Sequence, residues 1–199
     1  MLTELKITDF VAELGSSKPA PGGGSAAALA GVLASSLAAM VARLSGEGWQ
    51  EFIDKAQRLS GQLLDLVNRD TEAFNQVMEA LKLPKGTEEE KRERSRALRQ
   101  ANRLATEVPL EVMELSLEIL RLAFEVALKG NRNCLSDAGV AGLLAAAACR
   151  GAAYNVLINL PGLRDAEFAS AARARLDETL KEATDLESTI ADRVNCELA

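Results

Sequence analysis

Apolar residues recur three and four positions apart along almost the whole chain, and no stretch alternates in the manner of a strand. The spacing predicts a short helix after Thr8 that ends at Gly15, with Thr8 as its cap. A second helix is predicted over 25–45, capped by Ser25 and stopped by Gly46 and Gly48. A third covers about 51–81, with Phe52, Ala56, Leu59, Leu63, Val67, Phe74, Val77 and Leu81 on one stripe. Pro84 and Gly86 break the pattern, and Thr87 with Glu90 forms a capping box for the next helix. That helix can run to Lys129, about 60 Å at the usual rise. Pro109 inside it predicts a kink, or a break into two helices near Ala105. After the polar turn Gly130-Asn131-Arg132-Asn133, Ser136 and Asp137 open a helix that Pro161-Gly162 stops. Asp165 starts a final helix with Phe168, Ala172, Leu176, Leu180, Ala183, Leu186, Ile190 and Val194 on one face.

Two of these helices are built from small residues. Gly23, Ala27, Gly31, Ser35 and Ala39 fall four apart on one face of the second. Ala138, Gly142 and Ala146, and likewise Ala141, Ala145, Cys149 and Ala153, do so in the fifth. Small residues let helix backbones approach closely, and helices apolar nearly all round lie at a centre. The expected fold is all-α: one domain over 1–199, a bundle of long, partly kinked antiparallel helices that forms a homodimer.

Composition narrows the function. The 199 residues carry a net charge of −6, and no basic stripe rises above that background, so nucleic acid is not an expected partner. The densest basic run, Lys91-Arg92-Glu93-Arg94-Ser95-Arg96, follows three glutamates and reads as a solvated helix face. Cys134, Cys149 and Cys196 are far apart and odd in number, which fits reduced thiols in the cytoplasm and no zinc site. The first residues lack the pattern of an export signal. Residues 26–42 are uncharged, but their Ala, Gly and Ser content reads as too weakly apolar and slightly short for a membrane span. There is no histidine, so chemistry falls to carboxylates, amides and backbone N–H groups.

Four places could carry that chemistry. Asp70 lies on the stripe of Leu63, Val67, Phe74 and Val77, where a charge is costly. A carboxyl held there titrates high and suits a general acid, or it simply bonds a buried polar group. Pro21-Gly22-Gly23-Gly24-Ser25 is either a plain turn or a helix N-terminus that offers free N–H groups to an anion. It is neither a Walker loop nor a dinucleotide fingerprint. Ser136 and Asp137 read as a helix start, or, beside Asn131, as donors and a carboxylate for a ligand. Asn155 and Asn159 sit one turn apart on an apolar helix; they bond backbone or the edge of a heterocycle.

Together these segments resemble one family. Pro21 to Ser25 with its Ala-rich helix, Asp70-Thr71-Glu72-Ala73-Phe74, the stretch from Leu83 to Lys91, Val108-Pro109-Leu110, Gly130-Asn131, Ser136-Asp137 and Tyr154 to Leu160 are similar to motifs of the cyclodeaminase/cyclohydrolase family. That family includes the C-terminal domain of formiminotransferase-cyclodeaminase and stand-alone bacterial methenyltetrahydrofolate cyclohydrolases. The resemblance spans about residues 10–168 and implies a helical dimer with a folate site near the subunit interface. It implies hydrolysis of methenyltetrahydrofolate, or cyclodeamination of formiminotetrahydrofolate on the same scaffold; a helical dimer that only binds is the reading of another class. No formiminotransferase half is expected in 199 residues. The family's proposed proton donor maps onto Asp70, with Asp137 as a second, electrostatic carboxylate. Pro21, Gly22, Gly23, Gly24, Ser25, Lys85, Asn131, Ser136, Asn155 and Asn159 become candidates for the substrate cleft. Lys18, Arg43 and Lys82 join Lys85 as candidates for the folate's glutamate tail. No prosthetic group and no metal are implied.

Overall fold

The computed structural model describes residues 1–198, which form a helical bundle around one hydrophobic core. Six α-helices follow in order: α1 Ile7–Leu14, α2 Gly23–Arg43, α3 Gln50–Lys82, α4 Glu88–Lys129, α5 Leu135–Asn159 and α6 Ala166–Leu198. Three single-turn 3₁₀ segments lie at Leu2–Glu4, Arg132–Cys134 and Leu160–Gly162. Among the described residues there is no strand.

The small-residue faces of α2 and α5 meet at the centre. A methyl group on Gly151 would come 3.3 Å from Ala27 Cβ, and one on Gly31 would come 2.7 Å from Leu63 Cδ1. Gly139 and Gly142 play the same part toward Val194 and Ile190 of α6. These helices therefore pack backbone to backbone, and Ala28, Ala34, Ala38, Ala141, Ala145, Ala152 and Ala153 are fully or almost fully buried. By length and mean hydropathy, 1.8 and 1.4, Gly23–Arg43 and Arg132–Gly162 reach the level of a membrane span. That corrects the reading of 26–42 as too weakly apolar; in the fold 61% of the first window and 50% of the second are buried.

The longer helices wrap this centre through the stripes that the spacing predicts. On α3, Ala56, Leu59, Leu63 and Val67 are buried, while Leu81 is 45% exposed and Ala80 takes its place inward. Ion pairs cross between the outer helices, among them Arg69 with Glu111, Lys55 with Glu118, Arg121 with Glu182 and Arg175 with Glu114.

Helix starts are partly as expected. The Thr87–Glu90 capping box is formed, and Asp165 Oδ1 accepts from the Phe168 N–H at 2.9 Å. Thr8, in contrast, lies inside α1, whose N-cap is Lys6. Ser25 does not cap α2: the helix begins two residues earlier at Gly23, and Ser25 turns inward to α3. Ser136 and Asp137 fall in the first turn of α5, with Cys134 as N-cap.

The expected break at Pro109 does not occur, and α4 runs unbroken for 42 residues. Proline has no N–H to offer the carbonyl four residues back, here that of Ala105. Asn159 Nδ2 donates to that carbonyl at 2.6 Å, so a side chain from α5 supplies the missing bond. The same bond fastens the end of α5 to the middle of α4.

Candidate active site

Asp70 stands on α3 opposite the N-terminus of α2. Its burial follows from the stripe: Leu66, Val67 and Ala73 beside it are in the core. Ser25 Oγ lies 2.9 Å from Asp70 Oδ2 and 2.9 Å from the Val67 carbonyl oxygen, with Thr71 Oγ1 at 3.3 Å. Ser25 has one hydroxyl proton for these two acceptors. Once Asp70 is protonated, it donates to Ser25 Oγ while the hydroxyl donates to Val67, and every oxygen is matched.

Burial pushes the Asp70 carboxyl above its ordinary value, and hydrogen bonds from the Ser25 side chain and main chain pull it back without cancelling the rise. The N–H groups of the first turn of α2 have no partner within the helix, and they add a favourable field for the charged form. A carboxyl raised by burial suits a general acid or base.

Gly24 makes the approach possible. A Cβ on Gly24 would overlap Asp70 Oδ1 and stand 2.8 Å from Oδ2. Gly22 has open space around its Cα, and a Cβ on Gly23 would only touch Asn155 Nδ2 at 3.6 Å. Of the three glycines, Gly24 alone is required by contact with the carboxyl group.

A cleft of about 320 Å³ opens in front of Asp70. Gly22, Gly23 and Gly24 form one wall, Phe74 and Val77 of α3 another, and Asn155, Ile158 and Asn159 of α5 a third. Each asparagine commits its Nδ2 to a carbonyl, Asn155 to Gly151 at 2.9 Å and Asn159 to Ala105. Each side-chain oxygen is left as an acceptor. The site can therefore enclose a flat, partly apolar molecule, accept hydrogen bonds from its edge, and deliver or take a proton at Asp70.

The structure does not bring all the sequence-based candidates here. Pro21 is buried behind the glycine turn, and Ser25 acts through Asp70. Asn131 lies at the other end of the bundle: its Nδ2 donates to the Leu44 carbonyl and its N–H to Ser45 Oγ, both at 2.8 Å. In one chain it is a fastening between α2 and α5, because the local polar turn pairs with the exposed end of α2. Ser136 and Asp137 begin α5, about 30 Å by helical rise from Asn155 and Asn159. Lys85 is exposed in the corner between α3 and α4, beyond the lining of the cleft. Lys18 pairs with Glu13 at 2.7 Å, and Arg43 closes α2 at its far end. Sequence reasoning missed Phe74 and Val77 as lining residues, since their spacing placed them in the core; they are only half-buried. It also missed Ala105, which Pro109 signals four residues away.

Comparison with known proteins shows the family of the chain. The family model described as formiminotransferase-cyclodeaminase matches residues 6–178. The chain belongs to that family. A methenyltetrahydrofolate cyclohydrolase of Methylorubrum extorquens is 40% identical over 197 residues, covering 94% of this chain and 95% of the relative. The formimidoyltransferase-cyclodeaminase of Mus musculus is 37% identical over 191 residues, covering 92% of this chain and 35% of the longer mouse protein. The crystal structure of a formiminotetrahydrofolate cyclodeaminase from Thermotoga maritima superposes with a TM-score of 0.76 at 28% identity, covering 100% of this chain and 98% of that one.

Replacing Gly24 by Ala forces the Asp70 carboxyl out of its position, and overpacking of this kind costs about 1–3 kcal/mol. Denaturant unfolding should show that loss for Gly24→Ala and well under it for Gly22→Ala. Equal stability of the two variants would contradict the reading of Gly24.

Proposed function

We propose that the protein hydrolyses methenyltetrahydrofolate to formyltetrahydrofolate in the cleft at Asp70. What carries the reading is a partly buried carboxyl, raised above its ordinary value by burial, in the lining of a cleft, in a chain that is 40% identical to a cyclohydrolase over nearly its full length. The methenyl carbon is an amidinium cation bridging two nitrogens. Water adds to that carbon and loses a proton, one carbon–nitrogen bond breaks, and the leaving nitrogen gains a proton.

Asp70 can serve both proton steps. As a carboxylate it steadies the cation and takes the proton of the attacking water; as an acid it returns that proton to the leaving nitrogen. Ser25 holds the carboxyl in place throughout. Asn155 and Asn159 offer acceptor oxygens to the N–H edge of the pterin, and Phe74 and Val77 give its rings an apolar wall. No prosthetic group is needed for this sequence of steps.

Cyclodeamination of formiminotetrahydrofolate is the second reading, supported by the likeness to the Thermotoga maritima enzyme along the whole chain. There the folate's own nitrogen attacks the formimino carbon, and Asp70 protonates departing ammonia. Both reactions pass through a tetrahedral carbon bearing nitrogens, so one site suits both.

The protein is further proposed to act as a cytoplasmic homodimer, apart from membranes and nucleic acid. Support for the dimer comes from a row of exposed side chains along α5, with Val140 46%, Leu143 57%, Tyr154 71% and Ile158 77% exposed, beside Leu33 of α2 at 50%. Two such rows packed antiparallel about a twofold axis would bury each other. That arrangement would also carry the Ser136–Asp137 end of one α5 toward the cleft end of the other, which keeps Asp137, Ser136 and Asn131 as candidates from the second copy.

Asp70→Asn should lower turnover by at least about 100-fold with the fold retained. Loss of the near-ultraviolet absorbance of methenyltetrahydrofolate reports the first reaction, and ammonia release from formiminotetrahydrofolate the second. Near wild-type rates in Asp70→Asn would remove Asp70 from catalysis, and absence of both signals in the wild type would leave only a binding role. Leu143→Glu should yield a monomer in light scattering; a wild type that is itself monomeric at micromolar concentration would contradict the dimer.

A further inference from the structure

Most arginines that reach across the bundle are matched to carboxylates, as Arg69, Arg121, Arg150 and Arg175 are. Arg99 of α4 and Arg164, just before α6, are not. Among the described residues each donates instead to one neutral oxygen, Ser95 Oγ, at 3.0 Å from Arg99 Nη1 and 3.1 Å from Arg164 Nη1. Two guanidinium groups on a single hydroxyl repel each other, and an anion between them would relieve that repulsion.

A cavity of about 190 Å³ lies at this point, lined by Arg99, Gln100, Arg103, Leu163, Arg164 and Phe168, with Asp165 as the acid on its rim. Asp165 is already engaged: it caps α6 and pairs with Arg103 at 3.4 Å. Arg103 also pairs with Glu107 and lies over the Phe168 ring, 4.4 Å from its centroid. Arg99 and Arg164 are thus the cations left free to meet a ligand.

The cavity shares no lining residue with the cleft, but it lies on the neighbouring part of α4 and on the segment that follows Asn159. Ala105 and Asn159 line the cleft, and Arg99 lies six residues before Ala105, about 9 Å along the axis of α4. From Asn159 the chain runs along α4 to Arg164, held by the bond from Asn102 Nδ2 to the Gly162 carbonyl at 3.1 Å. A folate has its reacting carbon near one end and glutamate carboxylates at the other, joined by a flat spacer. With its carbon at Asp70, its tail can follow this path.

We propose that Arg99 and Arg164, with Ser95 between them, form a carboxylate site for the glutamate tail of the folate. The proposal rests on the folate reading of the cleft. It places the tail on these arginines, away from Lys18, Arg43, Lys82 and Lys85. Each planar guanidinium can hold a carboxylate through two parallel bonds, and the Ser95 hydroxyl adds a donor.

The test is Arg99→Gln with Arg164→Gln, assayed on methenyltetrahydrofolate with one and with several glutamates, and on methenyltetrahydropteroate, which has no glutamate. The double variant should raise KM for the glutamylated substrates about tenfold or more, with kcat changed less than about twofold. KM for the tail-less substrate should be the same in both proteins. An unchanged KM for glutamylated substrate, or an equal rise for the tail-less one, would overturn the proposal while the cleft reading stands. A wild type that turns over none of the three would overturn the cyclohydrolase reading and this site with it.

Discussion

A side chain at Gly24 would overlap the carboxyl group of Asp70, which occupies space that only glycine leaves open. This contact sets the distance between the first turn of α2 and the middle of α3. It places Asp70 within reach of the Ser25 hydroxyl and of unpaired main-chain N–H groups, while Val67 and Ala73 keep water from its inner side. The rest of the cleft is arranged around that point. Burial favours the neutral acid and the helix end favours the anion, and a proton shuttle needs neither to win by much.

The approach of α2 to α3 depends in turn on the bundle's centre. Glycine and alanine at Ala27, Gly31, Gly142 and Gly151 let α2, α5 and α6 pack by backbone, so α2 is held along its length and not only at its end. Asn159 joins this frame to the site: its Nδ2 replaces the bond that Pro109 removes from α4, and the residue lines the cleft. The proline, the asparagine and the unbroken 42-residue helix form one arrangement. Helix α4 then runs from Arg99, proposed for the tail, to Ala105 in the lining of the cleft.

Much of this was legible in the residues. Periodicity placed the long helices, the Thr87–Glu90 box and Asp165 marked two starts, and the small-residue faces marked the centre. Asp70 stood out because a carboxylate on an apolar stripe needs a reason. The misses have physical causes. Ser25 looks like an N-cap by type, but a glycine cap three residues earlier, Gly22, freed it to turn inward. Phe74 and Val77 have core spacing, and no pattern tells a buried stripe from one that opens on a cleft. Asn131, Ser136 and Asp137 share a turn in sequence, yet in one chain the length of α5 separates them from Asp70. The pairing of Arg99 with Arg164 joins positions far apart along the chain, and the basic run near it reads from sequence as mere solvated surface.

The central claim is that Asp70 is a carboxyl whose burial outweighs its hydrogen bonds, so that it holds a proton more tightly than an ordinary aspartate. Titration of the Asp70 carboxyl carbon by nuclear magnetic resonance in the folded protein, assigned with Asp70→Asn, measures this directly. The account predicts a midpoint above the ordinary value of 3.8, moving further up in Ser25→Ala as the bonds that favour the charged form are lost. A midpoint at or below 3.8 would contradict it.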